Sequence, residues 1–251
     1  MNEYLHNAHL PGGSFYWEGA ETGILLLHGL TATTAEVREL ATCLHQDGCT
    51  VSAPLLPGHG TTPDALNRVH WQAWAETAVS AYRQLAKKCT TIFVGGESTG
   101  AVLSLYLASL YPTIAGVLAF APAIQLNMNR WQLWQLQLAA PFIKSVPKGS
   151  IDVAEKWQGY PDNPLKGGRE LIRLQRVVLR LLPRITQPVL LVQGRHDTTI
   201  HPESGRFIMD RVRSTHKELH WMAHSSHVVL IDQELDAIVA LTREFIRHNS
   251  R

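Results

Sequence analysis

Short apolar runs without polar alternation recur along the chain, at residues 24–27, 90–94, 114–121 and 189–192. Strands covered on both faces read this way. Val51-Ser52-Ala53-Pro54 and residues 217–221 complete the set of core strands, and residues 14–19 read as a short edge strand or hairpin arm. Between the strands the period changes to that of helices. Val37, Leu40, Ala41 and Leu44 share one helix face, opened by Thr33-x-x-Glu36, which reads as a capping box. Residues 69–86 keep the i, i+3, i+4 rhythm through Trp71, Trp74, Ala75, Ala78, Val79, Tyr82, Leu85 and Ala86. The tryptophans read as helix–sheet packing rather than a binding site. Further helices are expected over 101–110, near 202–213, and from near Asp232 with Leu235, Ile238, Val239, Phe245 and Ile246 turned inward. Strands alternating with helices imply βαβ units and a parallel sheet clothed on both faces.

The alternation stops between residues 124 and 186. Strands give way to a helix face of Trp131, Trp134 and Leu138, a Pro-, Gly- and Lys-rich stretch at 141–168, and a basic amphipathic helix over 170–182 with Arg173, Arg176 and Arg180. Such a helix can lie on a membrane surface, but arginines spaced this way more often form a solvated face. The expected division is a core of residues 1–123 and 187–251 with a helical cap inserted at 124–186.

Composition narrows the function classes. A chain of 251 residues that is 45% hydrophobic and 18% charged can bury a large core. Its net charge of +2 argues against nucleic acid as a partner. Cys43, Cys49 and Cys89 match no zinc or redox spacing, so free thiols are expected. The 13 histidines do not cluster as metal ligands. Residues 1–10 lack the apolar stretch of a signal peptide, and no run reaches the length of a membrane span. The expectation is a cytoplasmic protein, monomeric or weakly homodimeric, without stable membrane insertion.

Candidate chemistry falls at strand ends, where sites in parallel sheets lie. The 90–94 run leads into Gly96-Glu97-Ser98-Thr99-Gly100 and then a small, apolar helix. Gly-x-Ser-x-Gly between strand and helix forces the serine onto a tight turn with its hydroxyl clear of the backbone. Serine needs a base, and the base needs an orienting acid. Asp197 and His227 follow Ser98 in the order Ser, acid, His, each a few residues past a strand. His227 is preferred over His224 as the base. Asp210 and Asp232 suit helix ends better than the acid role, His196 reads as a loop residue, and Glu97 as a structural hydrogen-bonding group beneath the turn. An oxyanion hole needs two backbone donors. Thr99 supplies one, and Leu30, in the loop His28-Gly29-Leu30-Thr31, is the candidate for the other. His28 either contacts substrate or braces its loop, and His59 in Leu56-Pro57-Gly58-His59-Gly60 reads as a loop hydrogen-bonder.

With Leu26-Leu27-His28-Gly29-Leu30-Thr31, Leu56-Pro57-Gly58-His59-Gly60, Gly96-Glu97-Ser98-Thr99-Gly100, Gln193-Gly194-Arg195-His196-Asp197 and Ser226-His227, the chain resembles the α/β-hydrolase superfamily. Within it, the chain is similar to small bacterial carboxylesterases and monoacylglycerol-lipase-like enzymes. The resemblance implies a triad of Ser98, Asp197 and His227, oxyanion amides at Leu30 and Thr99, a core of about seven strands, a helical cap and no cofactor. It departs at Leu30, where these esterases often carry an aromatic residue. The expected reaction is hydrolysis of short-to-medium-chain carboxylic esters, monoacylglycerols among them, with Trp131, Leu133, Trp134, Leu136 and Leu138 as candidate acyl-pocket residues or cap-docking residues. Thioesters and C–C bonds remain alternatives for the same triad, and a non-catalytic ligand-binding protein is the alternative from another class.

Overall fold

The runs of branched and large apolar residues pair into one seven-stranded sheet, as a computed structural model describing residues 3–149 and 155–250 shows. In chain order the elements are β1 (Phe15–Trp17), β2 (Thr22–Leu27), α1 (Ala35–Gln46), β3 (Thr50–Ala53), α2 (Pro63–Leu66), α3 (Trp71–Leu85), β4 (Thr91–Glu97), α4 (Thr99–Leu110) and β5 (Gly116–Phe120). They continue with α5 (Arg130–Ala139), β6 (Ser145–Pro147), β7 (Asp162–Pro164), α6 (Leu165–Leu181), β8 (Val189–Gly194), α7 (Ser204–Met209), β9 (Lys217–Met222) and α8 (Leu235–Asn249). The spatial order is β1-β3-β2-β4-β5-β8-β9, parallel except for the antiparallel edge strand β1. This is the α/β-hydrolase fold.

The central strands are apolar on both faces because both are covered. Ile24 to Leu27, Phe93, Val94, Val117 to Phe120 and Val189 to Val192 are fully buried. The helix α4 is apolar almost all round, as a helix between a sheet and other helices must be, and it packs against β4, β5, α3 and α6. Trp74 is buried in α3, as its place in the helical rhythm predicts, and its indole N–H donates to the Pro57 carbonyl at 3.1 Å.

Several local expectations need correction. No capping box forms at Thr33 and Glu36: α1 begins at Ala35, its N-cap Thr34 makes no side-chain cap bond, and Glu36 turns inward. The helix expected over 202–213 is shorter, because Asp210 already caps α7. The last helix begins at Leu235, and Asp232 turns back to accept from the Ser226 backbone N–H and hydroxyl, both at 2.7 Å. Strands do not stop between β5 and β8: β6 and β7 pair antiparallel there. Each has three residues and contains proline, too short to show a period of two. The α6 helix starts five residues earlier than its arginine pattern indicates. Its Gly167 lies against Leu66 of α2, where a Cβ would come within 3.1 Å of the leucine side chain. Its Leu171, Leu174 and Val178 are buried, while Arg173, Arg176 and Arg180 form the outward face. Among the described residues no helix is long and apolar enough to cross a membrane.

Candidate active site

Strand β4 delivers Ser98 at its C-terminal end in a conformation L-residues rarely adopt, φ 55° and ψ −111°. The turn is tight because the two flanking glycines permit it. A Cβ on either Gly96 or Gly100 would overlap the Leu27 carbonyl of the neighbouring strand. The conformation is held by the Ser98 N–H donating to the Phe120 carbonyl at 2.9 Å and by the Ser98 carbonyl accepting from Ala123 at 3.2 Å. Thr31 after β2 and Ala121 after β5 also have positive φ, 68° and 41°. Three of the four positive-φ non-glycine residues among those described thus lie just past the C-terminal ends of central strands, the pattern expected of a functional site.

Three sequence-predicted residues meet there. His227 Nε2 lies 2.9 Å from Ser98 Oγ, and His227 Nδ1 lies 2.8 Å from Asp197 Oδ2. The carboxylate partner implies the tautomer that carries its proton on Nδ1 and leaves Nε2 to accept from the serine. Asp197 is buried, and its Oδ1 accepts from the Thr199 and Ile200 amides at 2.8 and 3.0 Å. Three donors therefore fix the carboxylate. Two further acids fix the histidine loop. Glu234 accepts from the Ala223 and His224 amides and the Ser225 hydroxyl, and Asp232 holds Ser226. His224 itself is exposed and His196 lies on the outer loop, so neither competes with His227.

The loop after β2 carries the other half of the site. Leu30 lines the cavity above Ser98, and among the described residues no hydrogen bond engages its amide. Thr99 is the first residue of α4, where amides have no intrahelical partner. The loop is held from beneath. Glu36 Oε2 accepts from the Gly29 amide at 2.6 Å. Burial, opposed by that bond, raises the Glu36 pKa above the usual carboxylate range. Glu97, also fully buried, accepts from the Leu230 amide at 3.2 Å. Burial first, and the Glu36 charge second, push its pKa well up, and its expected structural role beneath the elbow stands.

His28, a candidate for substrate contact, is not among the residues that line the cavity over Ser98. It is completely buried, its Nε2 accepts from the Leu56 amide at 3.0 Å, and its Nδ1 lies 2.9 Å from the Gly29 carbonyl. Burial brings its pKa down to about 4, so the ring is a neutral brace between two loops. His59 packs against it, 4.8 Å between ring centroids, and bonds the carbonyls of Leu56 and Pro57.

A cavity of about 530 Å³ opens over Ser98 and His227. Leu126, Met128, Leu136, Trp157, Leu165 and Leu171 supply much of its apolar wall. Of the expected acyl-pocket residues Leu136 lines it, whereas Trp131, Trp134 and Leu138 do not. They are 61%, 51% and 50% exposed and lie on the outer face of α5, with the two indoles stacked at 4.7 Å. Helical spacing identified their shared face, but it could not say whether that face looks in or out.

Two lining residues were not among the site candidates read from the sequence. Lys148 donates to the Thr31 hydroxyl at 2.6 Å and sits 3.9 Å from the Trp157 ring centre. Burial brings its pKa down to about 7, against the pull of Glu36 and Asp162. Glu36 was concealed by its fit to a capping motif. A second, larger depression of about 1040 Å³ runs along α3 past Trp71, Arg83 and Lys88 and includes none of the three meeting residues. Ser98 and His227 line the smaller one.

Known proteins resemble this arrangement over nearly the whole chain. The family described as serine aminopeptidase, S33, matches residues 19–234. A thermostable monoacylglycerol lipase of Bacillus sp. (strain H-257) is 30% identical over 231 residues, 92% of each chain. A carboxylesterase of Bacillus subtilis (strain 168) is 30% identical over 235 residues, 92% of this chain and 95% of the relative. A solved structure from work on two metagenome-derived lipolytic enzymes, LipS and LipT, superposes with a TM-score of 0.89 at 33% identity, covering 95% of this chain and 99% of that one. The monoacylglycerol lipase of Paleococcus ferrophilus superposes with a TM-score of 0.80, covering 95% and 100%, and at 20% identity that likeness is one of fold. Family match, relatives and fold agree, and the chain belongs to the serine aminopeptidase S33 family, built on the α/β-hydrolase fold.

Proposed function

We propose that this protein is a carboxylic ester hydrolase that cleaves short-to-medium-chain esters, monoacylglycerols among them, through an acyl-enzyme on Ser98. The observation that carries the reading is the unbroken chain Ser98–His227–Asp197, with contacts of 2.9 and 2.8 Å, beneath an apolar cavity. His227 takes the Ser98 proton as Oγ attacks the acyl carbonyl, and Asp197 stabilises the imidazolium. The amides of Leu30 and Thr99 receive the oxyanion, a contribution worth roughly 3 kcal/mol for each such donor. The imidazolium then protonates the departing alcohol. Water activated by His227 releases the acid and restores Ser98. The mechanism uses side chains and amides alone. Residues 124–186 act as a cap whose inner side, including Leu136 and Leu165, shapes the acyl site.

The family description names aminopeptidases, which must hold a substrate ammonium group. Here the pocket's carboxylate, Glu36, is already occupied by the Gly29 amide, and the basic side chain Lys148 lines the same pocket. That charge arrangement favours neutral esters, as do the names of the relatives. Cys43, Cys49 and Cys89 are unpaired, which suits a reducing cytoplasm, and the small ester pocket needs no second chain.

The test is a series of p-nitrophenyl esters of increasing acyl length beside an aminoacyl p-nitroanilide, with mass analysis after organophosphonate labelling. The expected result is a rate maximum at short-to-medium chains, negligible amide cleavage and a single adduct on Ser98. Preference for the anilide, or an adduct elsewhere, would overturn the reading.

A further inference from the structure

Eight large apolar side chains stand most open to solvent among the described residues, and six of them fall in one short stretch: Trp131, Trp134, Leu138, Phe142, Ile143 and Val146. The other two, Tyr4 and Leu110, lie elsewhere in the sequence. No residue of α5 is buried, and Phe142, just beyond it, is 88% exposed. An aromatic helix face left this open to solvent among the described residues marks an interaction surface.

Charge selects the occupant. Residues 124–149 contain not one Asp or Glu, and of their three basic residues Arg130 and Lys144 are exposed while Lys148 is turned inward onto Thr31 and Trp157. Arg169 of α6 reaches over to Gln137 of α5 at 3.2 Å, and Lys166 is exposed one turn earlier. Asp64 meets this edge through Lys144 at 2.9 Å and also feels Arg68 and Lys166, while Asp162, opposite Pro147, acts on the inward-turned Lys148. Aromatic and aliphatic side chains rimmed by cations suit the boundary between acyl chains and anionic headgroups. The surface is also continuous with the cavity: Val146 belongs to both, and Leu136 lines the cavity from the inner side of α5.

We infer that the outer face of α5 and the following turn dock reversibly on an anionic lipid surface, placing the cavity mouth where amphiphilic esters reside. Nothing in this requires insertion of a span. The arginine face of α6, the other membrane candidate in the sequence, is instead the outward side of a helix whose apolar face is already packed in the core. Delivery of substrate through the mouth rests on the ester-hydrolase reading, whereas docking itself does not.

Co-sedimentation with vesicles of equimolar phosphatidylcholine and phosphatidylglycerol tests the inference, with pure phosphatidylcholine vesicles as the comparison. The protein is expected to partition onto the anionic vesicles, less onto the neutral ones, and less again in about 1 M salt, where screening shrinks to ~3 Å. The Trp131→Ser, Trp134→Ser, Phe142→Ser triple variant is expected to bind at least about tenfold more weakly, given the apolar area it removes. It should hydrolyse soluble p-nitrophenyl butyrate at the wild-type rate. Should the triple variant fail to fold, Phe142→Ser alone carries the same test, with a smaller but measurable loss. A Ser98→Ala variant that binds vesicles without hydrolysing butyrate supports docking and separates it from catalysis. Folded wild type that binds vesicles but cleaves no ester upholds docking and overturns the ester reading. Wild type that ignores both vesicle types, a triple variant that binds like wild type, or a wild-type dimer that the triple variant dissolves in sedimentation analysis overturns the inference. The last result assigns the face to a second copy of the chain.

Discussion

The turn around Ser98 and the helix α5 face the same cavity, yet they are built by opposite rules. At the turn Ser98 is nearly buried, flanked by glycines with no room for a methyl group, and fixed through its backbone to Phe120 and Ala123. Its partners are fixed as firmly, with Asp197 holding two amides besides His227. In α5 no residue is buried, and the two tryptophans stack on each other in the open. Chemistry that depends on tenths of an ångström is placed on the ends of parallel strands, where packing over-determines position. Contact with substrate and its surroundings is left to an insertion that core packing barely constrains.

The contrast predicts large effects at the turn and small ones on α5. Asp197→Asn keeps the shape and the acceptor for Thr199 and Ile200 but no longer holds His227 in the required tautomer. A loss of about 10⁴-fold in kcat is expected, by analogy with the serine-protease triad, measured on p-nitrophenyl butyrate. A loss below tenfold would place the orienting acid elsewhere.

Glu36 sits one step further out. Glu36→Ala orphans the Gly29 amide, at a cost of ~1–3 kcal/mol, and loosens the loop that carries Leu30. The expected signature is a fall in kcat of about ten- to a hundredfold with KM little changed, since the loop contributes to the transition state rather than to ground-state binding. A rise in KM at constant kcat would show that Glu36 serves substrate binding instead.

The buried bases set an acid limit. His28 is held neutral with a pKa of about 4, below its ordinary 6.5. A group depressed on folding contributes stability that is present above pH 6.5 and is lost as pH falls toward about 4, because the unfolded chain takes up the proton first. Glu36 and Glu97, raised on folding, act with the opposite sign and weaken the fold as pH rises past their ordinary range. From neutral pH to about pH 5, His28 alone removes roughly 2 kcal/mol. Urea unfolding at the two pH values should show a loss of stability larger by about 2 kcal/mol in wild type than in His28→Gln. Equal drops would mean that the imidazole is charged in the fold.

The smallest effect is expected on α5. Leu138→Ala should change stability by no more than about 0.5 kcal/mol and leave butyrate hydrolysis unaltered. A drop of several kilocalories in thermal or urea unfolding would show that this face is packed after all.

These differences also explain what could be read from the chain itself. The sheet was legible because two-sided burial writes continuous apolar runs, and the meeting of Ser98, Asp197 and His227 was legible because parallel strands bring their C-terminal ends together. The cap's inner and outer faces were not. Leu136 and Leu138 are alike in sequence, and only the placement of α5 against α6 makes one a cavity wall and the other a surface residue. Glu36 matched a local helix-start pattern while serving a tertiary purpose, the support of Gly29. His28 left both of its readings open, and the Leu56 amide decides between them. Lys148 reaches Thr31 across 117 positions, a separation that no local pattern encodes.

The most direct test of the central claim is p-nitrophenyl butyrate hydrolysis by wild type and Ser98→Ala at neutral pH, with both shown to be folded by thermal unfolding. Loss of the nucleophile should lower kcat by about 10⁶-fold, as in the serine protease subtilisin, with the same unfolding transition. A Ser98→Ala protein that retains wild-type turnover would contradict the account, because the nucleophile would then be some group other than the one the strained turn holds in place.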